Sequence, residues 1–442
     1  MEKKGLNIEK KGMSQIETSE KQSWRPIAFN WAGMLIAVPM LMIGGTLGGG
    51  MSFGTLIIAA VIAYALIALI MSLVGSISSD MGIPAALAVT KAFGDKGSTY
   101  LTSLIFLVGC IGWFAMQNAA AGAAVSMLFG MFGVNFPAWA GSIILGIIMV
   151  ATSVLGFHYI KRVNYVIVPI LIVSVLYGVV HSIIQADGGM ATIFANVPET
   201  QITLAAAISI CIGTLAVASV VCGDFFRYSR GRKDTVLASF IGVVPMAIFV
   251  LGAGAVMAIG AGQSNITLIF AGMGLHFVGM LVLILATWTN TSNHIYIGGL
   301  ACMKVFNLKD KQRPIVTMIL GAVGVALAIT GVLDLIVGFV TLLAAIAPPV
   351  AGVIIADYWI IGRGKPENWY RVKGFNWIGI ISWACGAIVG RFFSFYSTAL
   401  DAILVAIVLY IILYAIFGKT SLAGQGRLTL TGEEETADKS EA

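Results

Sequence analysis

Residues 54–79 read GTLIIAAVIAYALIALIMSLVGSISS, an apolar run without a single charged side chain. A helix needs about 20 predominantly apolar residues to cross the hydrocarbon of a bilayer, so this run predicts a membrane span. Working outward, similar runs lie near 27–50, 98–128, 137–157, 163–184 and 203–226. Six more follow near 236–262, 270–303, 314–333, 335–358, 375–395 and 398–417. The fold class this implies is an all-α polytopic membrane protein with twelve transmembrane helices. Composition agrees: 59% of the 442 residues are hydrophobic and 10% are charged, against about 25% charged in a soluble domain. A water-soluble fold could not hide that much apolar surface.

The formal net charge is +6, which raises the question of nucleic acid. No basic stripe with interleaved aromatics is present, and the charges fall in short clusters between apolar runs, so nucleic-acid binding is excluded. The clusters instead test the layout through the positive-inside rule. With the amino terminus inside, the inner tail holds Lys3, Lys4, Lys10, Lys11, Lys21 and Arg25. Inner loops hold Lys91 and Lys96, Lys161 and Arg162, then Arg227, Arg230, Arg232 and Lys233. Lys304, Lys309, Lys311 and Arg313 follow, then Arg363, Lys365, Arg371 and Lys373, and the carboxyl tail adds Lys419, Arg427 and Lys439. Arg391 alone falls outside. A wrong span count would scramble this asymmetry, so both termini are expected in the cytoplasm, with the chain in the cell membrane. The first apolar run is too long for a signal-peptide core and lacks a clear cleavage site, so it is expected to be retained. Residues 433–442 are polar and acidic and are expected to be disordered.

The five cysteines, Cys110, Cys211, Cys222, Cys302 and Cys385, lie in or beside apolar runs without a CxxC pair. That spacing favours buried hydrophobes over a disulfide framework or a zinc site. No protease, hydrolase or nucleotide-binding signature is present, and no loop is long enough to hold an ATP-driving domain. The chain is not expected to be an enzyme or to carry a cofactor.

Two runs carry helix-breaking residues. The first contains Gly33, Pro39, Gly44, Gly45 and Gly48 to Gly50; the sixth contains Gly213-Thr214-Leu215-Ala216 and Gly223. Interrupted helices at matching positions of two halves point to a transporter site between inverted repeats, here runs one to five and six to ten. Glycines that merely permit close helix packing are the competing reading, with equal weight.

Polar side chains within spans are costly and become site candidates. In the third run Trp113 and Gln117 stand four apart on one helix face, an indole platform with an amide one turn away, suited to a flat hydrogen-bonding heterocycle. On spacing alone, a packing tryptophan and an interhelical amide bond is the stronger alternative. The eighth run holds Thr287-Trp288-Thr289-Asn290-Thr291-Ser292-Asn293-His294, the densest polar patch in any apolar run. Its oxygens suit Na⁺ or substrate; helix–helix bonding is the alternative, and function is favoured. Asp80, Asp224, Asp357, Asp334 and Asp401 sit near helix ends and read as anchors or gates, with Asp224 placed to pair with Arg227.

Several of these segments resemble the nucleobase:cation symporter family in its purine–cytosine permease branch. They are Gly44-Gly45-Thr46-Leu47-Gly48, Gly112-Trp113-Phe114, Asp224-Phe225-Phe226-Arg227-Tyr228, Trp288-Thr289, and the specific block from Ala347-Pro348-Pro349 to Ala356-Asp357-Tyr358. They occur in the family's order between about residues 25 and 418. The resemblance implies a five-plus-five inverted-repeat fold with two extra C-terminal helices, working by alternating access as a monomer. On that division, 1–26 is the amino tail, 27–200 the first repeat, 201–358 the second, 359–418 the extra helices and 419–442 the carboxyl tail.

Carried over residue by residue, Trp113 looks like the family's stacking tryptophan, and Gln117 stands where hydantoin-type relatives place an amide. Gly213 and Thr214 match an unwound stretch of span six whose backbone touches substrate. Gly33 and Ala37 match carbonyls of the family's sodium site, and Thr289 matches one of its hydroxyls. The departures from cytosine permeases are Cys110 for a glutamine, Leu215 for a second aromatic platform, Ala286 for an asparagine and Asn290 for the second sodium hydroxyl. The implied function is import of a cytosine- or purine-type nucleobase, or a related small heterocycle, with Na⁺ or H⁺. Import of a hydantoin- or allantoin-like ring and an uncoupled facilitator are the alternatives.

Overall fold

The computed structural model describes residues 15–155, 157–198, 201–263, 266–272, 276–306, 308–309 and 312–430. The long helices follow the apolar runs. The first, α1, has two halves, Trp24–Leu35 and Val38–Gly50, bent by 62°. Next come α2 (Phe53–Met81), α3 (Ser103–Gly130), α4 (Ala138–Leu155), α5 (Phe157–Gln185) and α6 (Leu204–Val221). The second half contains α7 (Arg232–Ala261), α8 (His276–Val305), α9 (Arg313–Ala328) and α10 (Val332–Ile361), then α11 (Trp377–Phe392) and α12 (Thr398–Phe417). Among the described residues, six helices are long and apolar enough to cross a membrane, or seven counting the bent pair. Five shorter apolar helices accompany them.

Local chemistry sets the breaks and ends. Pro39 has no N–H to give to the carbonyl four residues back, and its ring crowds that carbonyl. The Leu35 carbonyl instead accepts from Ala37 N–H at 2.9 Å, and α1 breaks at Ile36 and Ala37. In α10 the pair Pro348-Pro349 interrupts the hydrogen-bond ladder at Ala347, which itself stays in right-handed helical conformation. The Ser52 side chain caps α2 at its start by accepting from Thr55 N–H. Gly82, at φ 68°, ends α2 in the left-handed conformation that favours glycine.

The orphan carbonyls at that end are met by the amino tail. Ile16 N–H donates to Gly82 O (2.8 Å), Gln15 Nε2 to Met81 O (2.7 Å) and Lys21 Nζ to Ser79 O (2.9 Å). The tail is therefore docked from residue 15, and α1 begins at Trp24, inside the stretch that the sequence assigned to the tail. Residues 433–442, expected to be disordered, lie outside the described residues.

Helix pairing places the site. α2 packs on α7, α3 on α8, α6 on α2 and α10, and α11 on α12. The outer faces expose large apolar side chains, among them Ile58 (54%), Ile147 (63%), Val173 (66%) and Leu404 (57%). Such a belt around a bundle fits lipid rather than water.

Charged anchors gather at one end. Arg232 holds Asp80 in a two-pronged bond (2.7–3.1 Å), and Tyr358 donates to the same carboxylate at 2.8 Å. Lys91 lies 3.4 Å from Asp357, which also accepts from Tyr410 at 2.9 Å; this ion pair is buried. Asp224 accepts from Ala85 N–H at 3.0 Å, while Trp31 meets the rings of Phe225 and Phe226 at 5.2 and 6.0 Å. The Asp224 to Phe226 segment thus clamps α1 and the turn after α2 to the end of α6.

Candidate functional site

The face of α3 that carries Cys110, Trp113 and Gln117 is turned towards α8 and α10. Cys110 is buried against Gly298 of α8, where an added Cβ would stand 3.1 Å from the cysteine Cβ. The half-buried Trp113 indole meets the ring of Phe339 on α10 edge-on, with centroids 5.4 Å apart and planes at 84°. Such a pair contributes about 0.5–1.5 kcal/mol beyond its burial. Gly112 makes room for it, because a Cβ there would lie 2.2 Å from the Phe339 ring. One turn on, the buried Gln117 amide lies 3.2 Å from the Thr291 hydroxyl of α8.

The sixth helix departs from expectation. Leu204–Val221 is one uninterrupted helix, so no unwound stretch occurs at Gly213 and Thr214. A lone glycine costs a helix about 1 kcal/mol and does not break it; no proline is present here to do so. Gly213 instead lets α10 approach: a Cβ would lie 1.9 Å from the Val340 carbonyl oxygen. The Thr214 hydroxyl donates to Cys211 O at 2.7 Å and lies 2.7 Å from Tyr64 Oη on α2. Leu215 is buried in the apolar core.

The polar patch on α8 bonds partly within its own helix and partly to α4. Thr287 donates to Leu283 O (2.6 Å), and Trp288 Nε1 donates to Thr152 of α4 (3.0 Å). The Ser292 hydroxyl donates to Trp288 O of its own helix (2.8 Å), and Ser153 of α4 donates to the Ser292 carbonyl (2.8 Å). For these residues hydrogen bonds within α8 and to α4 take up the polarity. The side chains of Ala286, Thr289, Asn290 and Asn293 lie outside the described residues; their backbone is helical.

The α1 break redirects backbone hydrogen bonds. Because Ala37 N–H turns to Leu35 O, it does not serve Gly33 O, the acceptor that a continuous helix would use. The break also presents the negative end of the first half-helix dipole. A carbonyl oxygen at a helix C-terminus is a hard ligand that suits an alkali cation. The Ala37 carbonyl accepts from Met40 N–H at 3.0 Å and from Leu41 N–H at 3.4 Å, as the first turn of the second half-helix.

Phe339, Tyr64 and Val340 were not singled out from the sequence. Each is an ordinary apolar or aromatic residue within a long run. The one signal was a glycine on the partner helix, Gly112 or Gly213, whose neighbour cannot be read from spacing.

Comparison with known proteins extends this picture. A family profile described as permease for cytosine/purines, uracil, thiamine and allantoin matches residues 15–417. The chain is 27% identical over 414 residues to the cytosine permease of Escherichia coli K12, covering 92% of this chain and 95% of that one. It is 24% identical to the hydantoin permease of Microbacterium maritypicum over 82% and 80% of the two chains. Its fold is similar to that of inward-facing Mhp1, with a TM-score of 0.82 at 20% identity over 94% of each chain. Closed Mhp1 with bromovinylhydantoin bound gives 0.75 at 19% identity, over 95% of this chain and 98% of that one.

Proposed function

The chain belongs to the family of permeases for cytosine/purines, uracil, thiamine and allantoin, and from that membership we propose that it is a symporter importing a nucleobase or related small heterocycle with a cation. The observation that carries the proposal is the α3 face, where an aromatic platform and an amide stand one turn apart between α8 and α10. Trp113 stacks the ring and Gln117 reads its polar edge. Cys110 and Leu215 border the ring, with Ala286 and Asn290 on the α8 side.

Gly33 and Ala37 offer carbonyl oxygens to Na⁺, joined by Thr289 and by the amide oxygen of Asn290; proton coupling is the alternative. The α1 break supports the ion reading, because there Ala37 N–H turns to Leu35 O and away from the Gly33 carbonyl. Because α6 is intact, Gly213 shapes the site by letting α10 in and Thr214 by meeting Tyr64 of α2, and not through exposed backbone.

Twelve spans are supported by the long helices, the bent pair and the shorter apolar helices together. A five-plus-five repeat, 27–200 and 201–358, is supported by the matched pairing of α2 with α7 and of α3 with α8. Residues 359–418 add two helices, both termini lie in the cytoplasm, and one chain holds a complete pathway. Phe339 meets Trp113 edge-on, so a ring that stacks on that side of the indole displaces the Phe339 side chain.

A hydantoin- or allantoin-type substrate is the second reading, favoured by Gln117 and by the absence of a second aromatic at Leu215. Uptake of labelled cytosine, challenged by excess adenine, guanine, uracil, hydantoin and allantoin, separates the two. Inhibition by adenine or guanine is expected from the first reading. Inhibition by hydantoin and allantoin alone, with little cytosine uptake, would establish the second.

A further inference from the structure

The hydroxyl of Thr291 has two neighbours and one proton. Its Oγ1 lies 2.5 Å from the Thr287 carbonyl and 3.2 Å from Gln117 Oε1. The carbonyl can only accept, and the bond to it is the i−4 back-bond that serines and threonines make inside helices. The same bond recurs through this bundle, as at Thr287, Ser292, Ser72 and Ser76. The shorter bond takes the proton, which leaves the Thr291 oxygen as an acceptor towards Gln117.

A neighbouring pair shows the pattern without ambiguity. Thr152 Oγ1 lies 2.7 Å from Ile148 O and 3.0 Å from Trp288 Nε1. An indole N–H can only donate, so there the threonine gives its proton to the i−4 carbonyl and accepts from the side chain opposite. An amide carries a donor and an acceptor of nearly equal size, and its hydrogen-bond network decides which atom faces which way.

We infer that Gln117 is oriented by Thr291: its Nε2 donates to Thr291 Oγ1, and its Oε1 is held as an acceptor towards the substrate. The transported ring then presents an N–H at this edge, and Thr291 is a positioning residue for specificity. The inference rests on the proposed role of Gln117 in the substrate site.

The test is equilibrium binding to the purified full-length chain of cytosine, uracil, adenine and hydantoin, each compared with forms methylated in turn at every ring N–H. Carbon-methylated controls separate bulk from donor loss. Wild type is expected to lose about tenfold or more for one N-methyl position of each ring that binds, the size of a lost buried hydrogen bond. Thr291→Val, which frees the amide to turn, is expected to shrink that ratio below about threefold, while Thr291→Ser keeps it. A purely structural role would weaken all ligands alike and leave the ratio untouched.

Equal wild-type affinity for parent and N-methyl forms would overturn the inference, even should Thr291→Val fail to fold; so would a wild-type ratio in Thr291→Val. If none of the four rings binds, the proposed substrate class falls, and this inference with it.

Discussion

Replacing Trp113 with alanine is expected to reduce heterocycle uptake about a hundredfold, while the amount of folded protein in the membrane stays near wild type. An aromatic stacked on a base contributes about 1–3 kcal/mol by alanine substitution, and 1.4 kcal/mol is a factor of ten in affinity. Truncation also removes the edge-on partner of Phe339, which leaves a space that α10 can enter. Trp113→Phe keeps a π-face and is expected to retain part of the transport. The check is initial-rate uptake normalised to protein that elutes as a sharp gel-filtration peak. Normal uptake by such a Trp113→Ala protein would remove the stacking role.

The second large effect concerns stability. Lys91 and Asp357 form a buried pair, with side chains 5% and 4% exposed, between the turn after α2 and the end of α10. Lys91→Met leaves the Asp357 carboxylate buried without its cation, and breaking such a pair costs about 3–5 kcal/mol. Replacing both partners, Lys91→Met with Asp357→Leu, removes the unpaired charge and is expected to recover most of the loss, because apolar isosteres of buried pairs are often neutral. Thermal unfolding in detergent compares the three proteins. Equal melting temperatures for Lys91→Met and wild type would mean that the pair is solvated in the working protein.

The bundle was largely legible in the sequence because lipid imposes a simple rule on composition and length. The run at 54–79 became the helix Phe53–Met81, and that at 398–417 became Thr398–Phe417. The break in α1 was legible in part. Pro39 was named among its signals and causes it, whereas Gly44 and Gly48 were named beside it and serve packing. A Cβ on Gly44 would lie 2.2 Å from Leu251 O, and one on Gly48 would lie 2.8 Å from the Ala255 backbone. The same ambiguity misplaced an unwound segment at Gly213, because glycine permits both a break and a close contact and sequence carries no sign of which.

Trp113 and Gln117 were legible as a shared face, since helical period alone puts them together. Their partners were not. Phe339 and Thr291 come from helices more than 150 residues away in the chain, and only the packing of α8 and α10 on α3 brings them in. The polar patch on α8 shows the limit from the other side. Seen as a string it reads as a ligand site, yet Thr287 and Ser292 bond carbonyls of their own helix, and Trp288 and Thr291 meet side chains of α4 and α3.

The most direct test of cation-coupled import is accumulation of labelled cytosine in proteoliposomes, measured with an inward Na⁺ gradient, with an inward H⁺ gradient and after both are dissipated. Accumulation above the external concentration under one gradient, lost when it is collapsed, is the predicted result. Filling only to equilibrium, at a rate indifferent to both gradients, would contradict the account and identify an uncoupled facilitator.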